Sequence, residues 1–75
     1  MTTPAGKKLT APLPGKVLAV KVKVGDRVNP GHDLLTLESM KMEVPIKATW
    51  NGVITAIKVE IGQTVNTGAV LLEYE

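Results

Sequence analysis

The apolar stretches of this chain are short, and the two longest change phase part-way along. Val17-Leu18-Ala19-Val20-Lys21-Val22-Lys23-Val24 and Val53-Ile54-Thr55-Ala56-Ile57-Lys58-Val59-Glu60-Ile61 are rich in β-branched residues, and the second ends in clean alternation of apolar and polar positions. A period of two predicts strands with one buried face. In both stretches the alternation slips by one residue: Val17 shares a face with Ala19, then Val20 with Val22 and Val24; Ile54 and Ala56 give way to Ile57, Val59 and Ile61. Such a slip turns every later side chain over, so each stretch is expected to contain a bulge or bend where the strand passes from one sheet to another. Gly25-Asp26 and Asn29-Pro30-Gly31 in the first half, and Gly62-Gln63 and Asn66-Thr67-Gly68 in the second, are turn signals on either side of a very short strand at Val28 or Val65. Residues 34–38 and 70–74 read as closing strands. Glycine or proline interrupts every window of helical length, which leaves an all-β fold class.

These two passes are one unit used twice. Ala11, Gly15, Ala19, Lys21, Val22, Gly25, Val28, Asn29, Gly31, Leu34, Leu35 and Glu38 recur as Ala48, Gly52, Ala56, Lys58, Val59, Gly62, Val65, Asn66, Gly68, Leu71, Leu72 and Glu75, at a constant offset of 37 positions. A gapless repeat in so short a chain predicts two half-units, 11–38 and 48–75, each covering the apolar face of the other. The expected architecture is a flattened barrel or sandwich with a pseudo-two-fold axis, its halves joined by a hairpin over 39–47. Residues 1–8, small, polar and basic, read as a flexible tail or linker ahead of a domain over 9–75. The symmetry maps the joining hairpin onto the gap between the chain ends, so the hairpin and the ends are expected at opposite poles.

Composition narrows the choices. Seventy-five residues with no cysteine, one histidine, no Phe, one Trp and one Tyr give a modest aliphatic core that neither disulfides nor a thiolate metal site supplement. The net charge of +2 comes largely from Lys7 and Lys8, and the rest is near balance, which is no nucleic-acid footprint. Two aromatic residues leave almost no stacking platform for bases. No apolar run approaches the roughly 20 residues of a membrane span, and the first residues lack the apolar region of a secretory signal; the expectation is a cytoplasmic protein.

Where the first half ends and the second begins stands Glu38-Ser39-Met40-Lys41-Met42-Glu43. An exposed lysine at the tip of a stiff hairpin offers a primary amine on a four-carbon stem, a suitable anchor for a prosthetic arm. With the glycine-spaced strands on both sides, this segment resembles the biotinyl domain of biotin-dependent carboxylases, decarboxylases and transcarboxylases, over residues 9–75. The resemblance implies two four-stranded antiparallel sheets of the biotinyl/lipoyl type, with Lys41 biotinylated by a biotin protein ligase. It also implies recognition of Met40 and Met42 by the ligase and partner active sites, and Glu38, Ser39 and Glu43 as supporting hairpin residues. Ser39 departs from the alanine usual there. Related lipoyl domains typically carry Asp-Lys-Ala at this hairpin, and methionine on both sides favours biotin. The gapless register leaves no room for the thumb insertion found in some members. The chain is then a monomeric, non-catalytic carrier that moves carboxyl between biotin carboxylase and carboxyltransferase or decarboxylase partners, with neither nucleic acid nor direct membrane insertion involved.

Each residue also has a plainer reading. Lys41 could be a solvated surface lysine, and Met40 and Met42 core residues on alternate positions. A general acid/base role for Glu38 and Glu43 has nothing else to support it, so no catalytic residue and no metal ligand is assigned. His32 reads as a solvent-facing turn residue. Trp50 is expected over the base of the hairpin, and Lys16, Lys21, Lys23 and Arg27 form part of a mixed solvated face. The competing functions are a lipoyl carrier of a 2-oxoacid dehydrogenase complex, a small nucleic-acid-binding barrel and an unmodified structural β-barrel module.

Overall fold

In the computed structural model, which describes residues 6–75, eight strands follow one another in chain order: β1 Lys7–Thr10, β2 Gly15–Val20, β3 Arg27–Val28, β4 Asp33–Ser39, β5 Met42–Lys47, β6 Gly52–Ile57, β7 Thr64–Val65 and β8 Val70–Tyr74. They form two antiparallel four-stranded sheets, ordered β1-β8-β6-β3 and β5-β4-β2-β7. Exchanging β1 with β5, β2 with β6, β3 with β7 and β4 with β8 turns one order into the other, so the sequence repeat is also the symmetry of the sheets. Hydrogen bonds obey it as well: Ala11 N–H donates to the Ala69 carbonyl and Ala48 N–H to that of His32, at 2.8 and 2.9 Å.

The phase slips are bulges. Register shifts fall between Val17 and Ala19 on β2 and between Ile54 and Ala56 on β6, so Leu18 and Thr55 are the extra residues. Beyond each bulge the chain leaves its sheet, and the short strand that follows, β3 or β7, belongs to the other one. The two sheets are therefore laced together by the chain itself. This also ends the long stretches early: β2 stops at Val20 and β6 at Ile57. Val22 and Val59 still turn inward, whereas Val24 and Ile61, at the lip of the next turn, stand 62% and 67% exposed.

The core is built of matched pairs, namely Ala11 with Ala48, Val17 with Ile54, Val22 with Val59, Val28 with Val65, Leu34 with Leu71 and Leu35 with Leu72, joined by Leu37 and Ile46. Burial of these aliphatic side chains is what holds two thin sheets together, at roughly 1.5–3 kcal/mol for each Val, Leu or Ile fully removed from water. No buried side-chain polar atom among the described residues lacks a partner.

One boundary moves. Lys7 and Lys8, expected in the tail over 1–8, lie in β1 and pair with Tyr74 and Glu73; residues 1–5 of that tail lie outside the described residues. Pairing at a sheet edge is made by the backbone, so two exposed lysines do not prevent it, and lysine on an edge discourages further strands from adding there. The segment 39–47 between the half-units holds the whole of β5, Met42–Lys47, and the end of β4 at Ser39.

Candidate functional site

Strands β4 and β5 pair from Asp33↔Lys47 to Ser39↔Met42, which leaves two residues, Met40 and Lys41, to reverse the chain. Both have positive φ, 52° and 66°, and no other non-glycine among the described residues does. Positive φ at both central positions is a type I′ turn, whose twist suits a hairpin and whose usual occupants are Asn-Gly. Here the turn is made by two long side chains, each held in the left-handed region at roughly 1–2 kcal/mol. Both are unbranched at Cβ, which is what makes the conformation tolerable at all. Backbone strain of this kind concentrates where a side chain must be presented.

The hairpin delivers Lys41 into solvent, with Met40 93% and Met42 67% exposed beside it. The plain core reading of the two methionines therefore fails. Among the described residues the ion pairs are Lys47–Asp33 at 4.0 Å and Lys58–Glu73 at 3.9 Å, and the side-chain hydrogen bonds are those of Asp26 and Gln63 to nearby backbone. None involves Lys41. No cavity opens beside it among the described residues.

Glu38 and Glu43 face each other across the hairpin, and Lys16 on β2 lies across from Glu38. Pro45 fixes the kind of pair the glutamates make. It has no N–H, so Thr36↔Pro45 cannot exchange two hydrogen bonds. Alternation then makes Leu37↔Val44 and Ser39↔Met42 the bonded pairs and Glu38↔Glu43 a non-bonded one, where facing Cα atoms approach to about 4.5 Å. Two exposed carboxylates thus stand side by side behind the tip, with Lys16 next in the row. Like charges so placed are unfavourable.

Gly15 was legible only as a marker of the repeat, and its structural role is specific. A Cβ there would meet the Glu38 carbonyl oxygen at 2.6 Å, and one on Gly52 would meet that of Glu75 at 2.5 Å. A glycine starting the same strand in both copies is the signal for such a close approach. Trp50 is not at the hairpin base. Its ring stacks on Tyr74, with centroids 3.4 Å apart and planes 3° off parallel, at the end of β8 where β1 starts across from it. His32 is exposed in its turn, its N–H donating to the Asn29 carbonyl at 3.0 Å.

The register also separates the poles. Lys16 lies across from Glu38, near the hairpin tip; ten residues past Gly15, Gly25 N–H donates to the carbonyl of Ile54, whose cross-strand partner is Tyr74. At about 3.3 Å per residue, the tip and the Lys7–Tyr74 pair are on the order of 30 Å apart.

Several known proteins are similar to this chain in sequence or in fold. The glutaconyl-CoA decarboxylase subunit gamma of Acidaminococcus fermentans is 56% identical over 41 residues, 53% of this chain and 28% of that one. The biotin carboxyl carrier protein of Streptococcus mutans is 46% identical over 51 residues, 68% of this chain and 39% of that one. This chain thus spans well under half the length of either relative. A single-chain, multi-domain long-chain acyl-CoA carboxylase superposes with a TM-score of 0.89 at 32% identity, over 99% of this chain and 8% of that one. The lipoyl domain of the Azotobacter vinelandii 2-oxoglutarate dehydrogenase complex does so with 0.79 at 25% identity, over 92% and 95%. Residues 7–73 match the family described as biotin-requiring enzyme, and the chain belongs to that family.

Proposed function

We propose that this chain is a biotin carboxyl carrier domain in which Lys41 Nζ forms an amide with the carboxyl group of biotin, a biotin protein ligase making the bond. Family membership supports biotin as the cofactor, and the exposed, unpaired Lys41 on a strained two-residue turn is the observation that carries the site. The residues fit the group: a primary amine with no competing partner among the described residues, on a convex tip. Biotin, when bound, supplies a ureido nitrogen that takes up and gives off a carboxyl group.

The chain's own contribution is mechanical. The I′ turn fixes where the Lys41 stem starts, and the two sheets keep that point on the order of 30 Å from the Lys7–Tyr74 pair. Tethering at the ends leaves the tip free to enter one active site and then another at high effective concentration. The reacting groups are assigned to partner proteins, namely biotin carboxylase and carboxyltransferase or decarboxylase subunits or domains, in keeping with the carrier and decarboxylase subunits that this chain resembles. Met40 and Met42 present apolar surface on either side of the lysine, which both the ligase and those active sites would grip.

The test is intact-mass measurement after incubation with a biotin protein ligase, biotin and ATP. Wild type is expected to gain one biotin less one water and Lys41→Arg to gain nothing; equal labelling of the variant sinks the assignment. A gain of lipoyl mass instead, on co-expression with a lipoate ligase and without streptavidin capture, would identify the lipoyl carrier that shares this fold.

A further inference from the structure

We infer that Met40 and Met42 form an oxidation-sensitive modification site that governs whether Lys41 can be loaded. The inference rests on the proposed biotinylation of Lys41. The chain has three methionines, and the two within the described residues are the two neighbours of Lys41, 93% and 67% exposed. A thioether in a packed core is shielded from oxidants by its surroundings. Nothing shields these. Met40 occupies the first of the two left-handed turn positions, and Met42 opens the edge strand β5.

The chemistry needs only a peroxide. One oxygen atom passes from the peroxide to the methionine sulfur, the sulfur loses two electrons in forming the sulfoxide, and hydrogen peroxide leaves as water; methionine sulfoxide reductases reverse the change. The product is polar and carries a strong hydrogen-bond acceptor where an apolar side chain stood. A partner surface that buries the thioethers would have to bury that oxygen unpaired. The fold would not register the change, because neither side chain belongs to the core. Oxidation thus acts on recognition of the lysine and leaves its scaffold intact. The exposures also set an order: Met40 reacts ahead of Met42.

The full chain is treated with hydrogen peroxide, the sites are resolved by peptide mass spectrometry so that Met1 is counted separately, and ligase-dependent biotin incorporation is timed. Met40 sulfoxide is expected to form first, incorporation to slow about tenfold or more, thermal unfolding to stay unchanged, and methionine sulfoxide reductases to restore the rate. The M40L/M42L variant is expected to be labelled at the same rate with and without peroxide. Full-rate labelling of chains shown to carry sulfoxide at both positions would overturn the inference, as would peroxide sensitivity that persists in M40L/M42L. Failure of the untreated wild type to be labelled at all would instead count against biotinylation of Lys41.

Discussion

The two poles of the molecule are the same construction put to different ends. Each has a glycine packed against a facing carbonyl, Gly15 on Glu38 and Gly52 on Glu75, and each completes an antiparallel pair of strands. At one pole the chain runs on through Met40 and Lys41, in a conformation neither residue favours, and sets apolar side chains in water. At the other β1 starts across from the end of β8, and Trp50 stacks on Tyr74 to close the end of the core. The residues equivalent to that stack, Leu13 and Leu37, are half-buried and buried at the lysine pole. The proposed function thus falls by contrast on one pole, the one that departs from good folding chemistry.

The contrast can be broken from the stable side first. Trp50→Ala removes half of the aromatic stack and part of the terminal core, and is expected to lower stability by about 2–4 kcal/mol in chemical denaturation. Biotin incorporation per folded molecule is expected to stay at the wild-type level, since the loss falls at the far pole. A smaller and more telling comparison is Gly15→Ala against Gly52→Ala. Both meet backbone at van der Waals overlap, so each should lose about 1–3 kcal/mol. Only the first moves the base of the hairpin, and only the first is expected to slow labelling; equal slowing by both would mean that the poles are coupled.

The remaining changes sharpen the picture. Replacing Met40-Lys41 by Asn-Gly is expected to raise stability by about 1–2 kcal/mol while abolishing labelling, seen as a higher thermal midpoint with no mass gain. A drop in the midpoint would show that the turn is not strained. Lys47→Ala breaks the exposed pair with Asp33 and should change stability by less than about 0.5 kcal/mol, which serves as the control for a surface charge on the same hairpin.

Much of this was legible in the chain because it says everything twice. The constant offset gave the half-units and the bulges, and the turn glycines at 25, 31, 62 and 68 all carry the positive φ that such turns require. What escaped was the strand with little side-chain signal. β1 holds a single apolar residue, Leu9, between lysines and a threonine, and its pairing is made by backbone groups that no hydropathy pattern reports. Carrying the repeat back past Ala11 sets Leu9 against Ile46 and would have found it. Trp50 was misplaced for a related reason: its neighbours in sequence are hairpin residues, yet its symmetry partner Leu13 sits at the lysine pole, which puts Trp50 at the other. The row of Lys16, Glu38 and Glu43 depends on a cross-strand register that includes a bulge, and the sequence alone does not count residues across strands.

One consequence follows from Lys7 lying across from Tyr74. Those two residues are near enough to be spliced by a tight loop, and the ring so formed could be reopened between Met40 and Lys41. Such a circular permutant is expected to keep every ladder and the whole core, with the former tip as its new termini. Under the proposed function, the peptide bond linking Met40 and Lys41 then serves display of the lysine and not assembly of the scaffold.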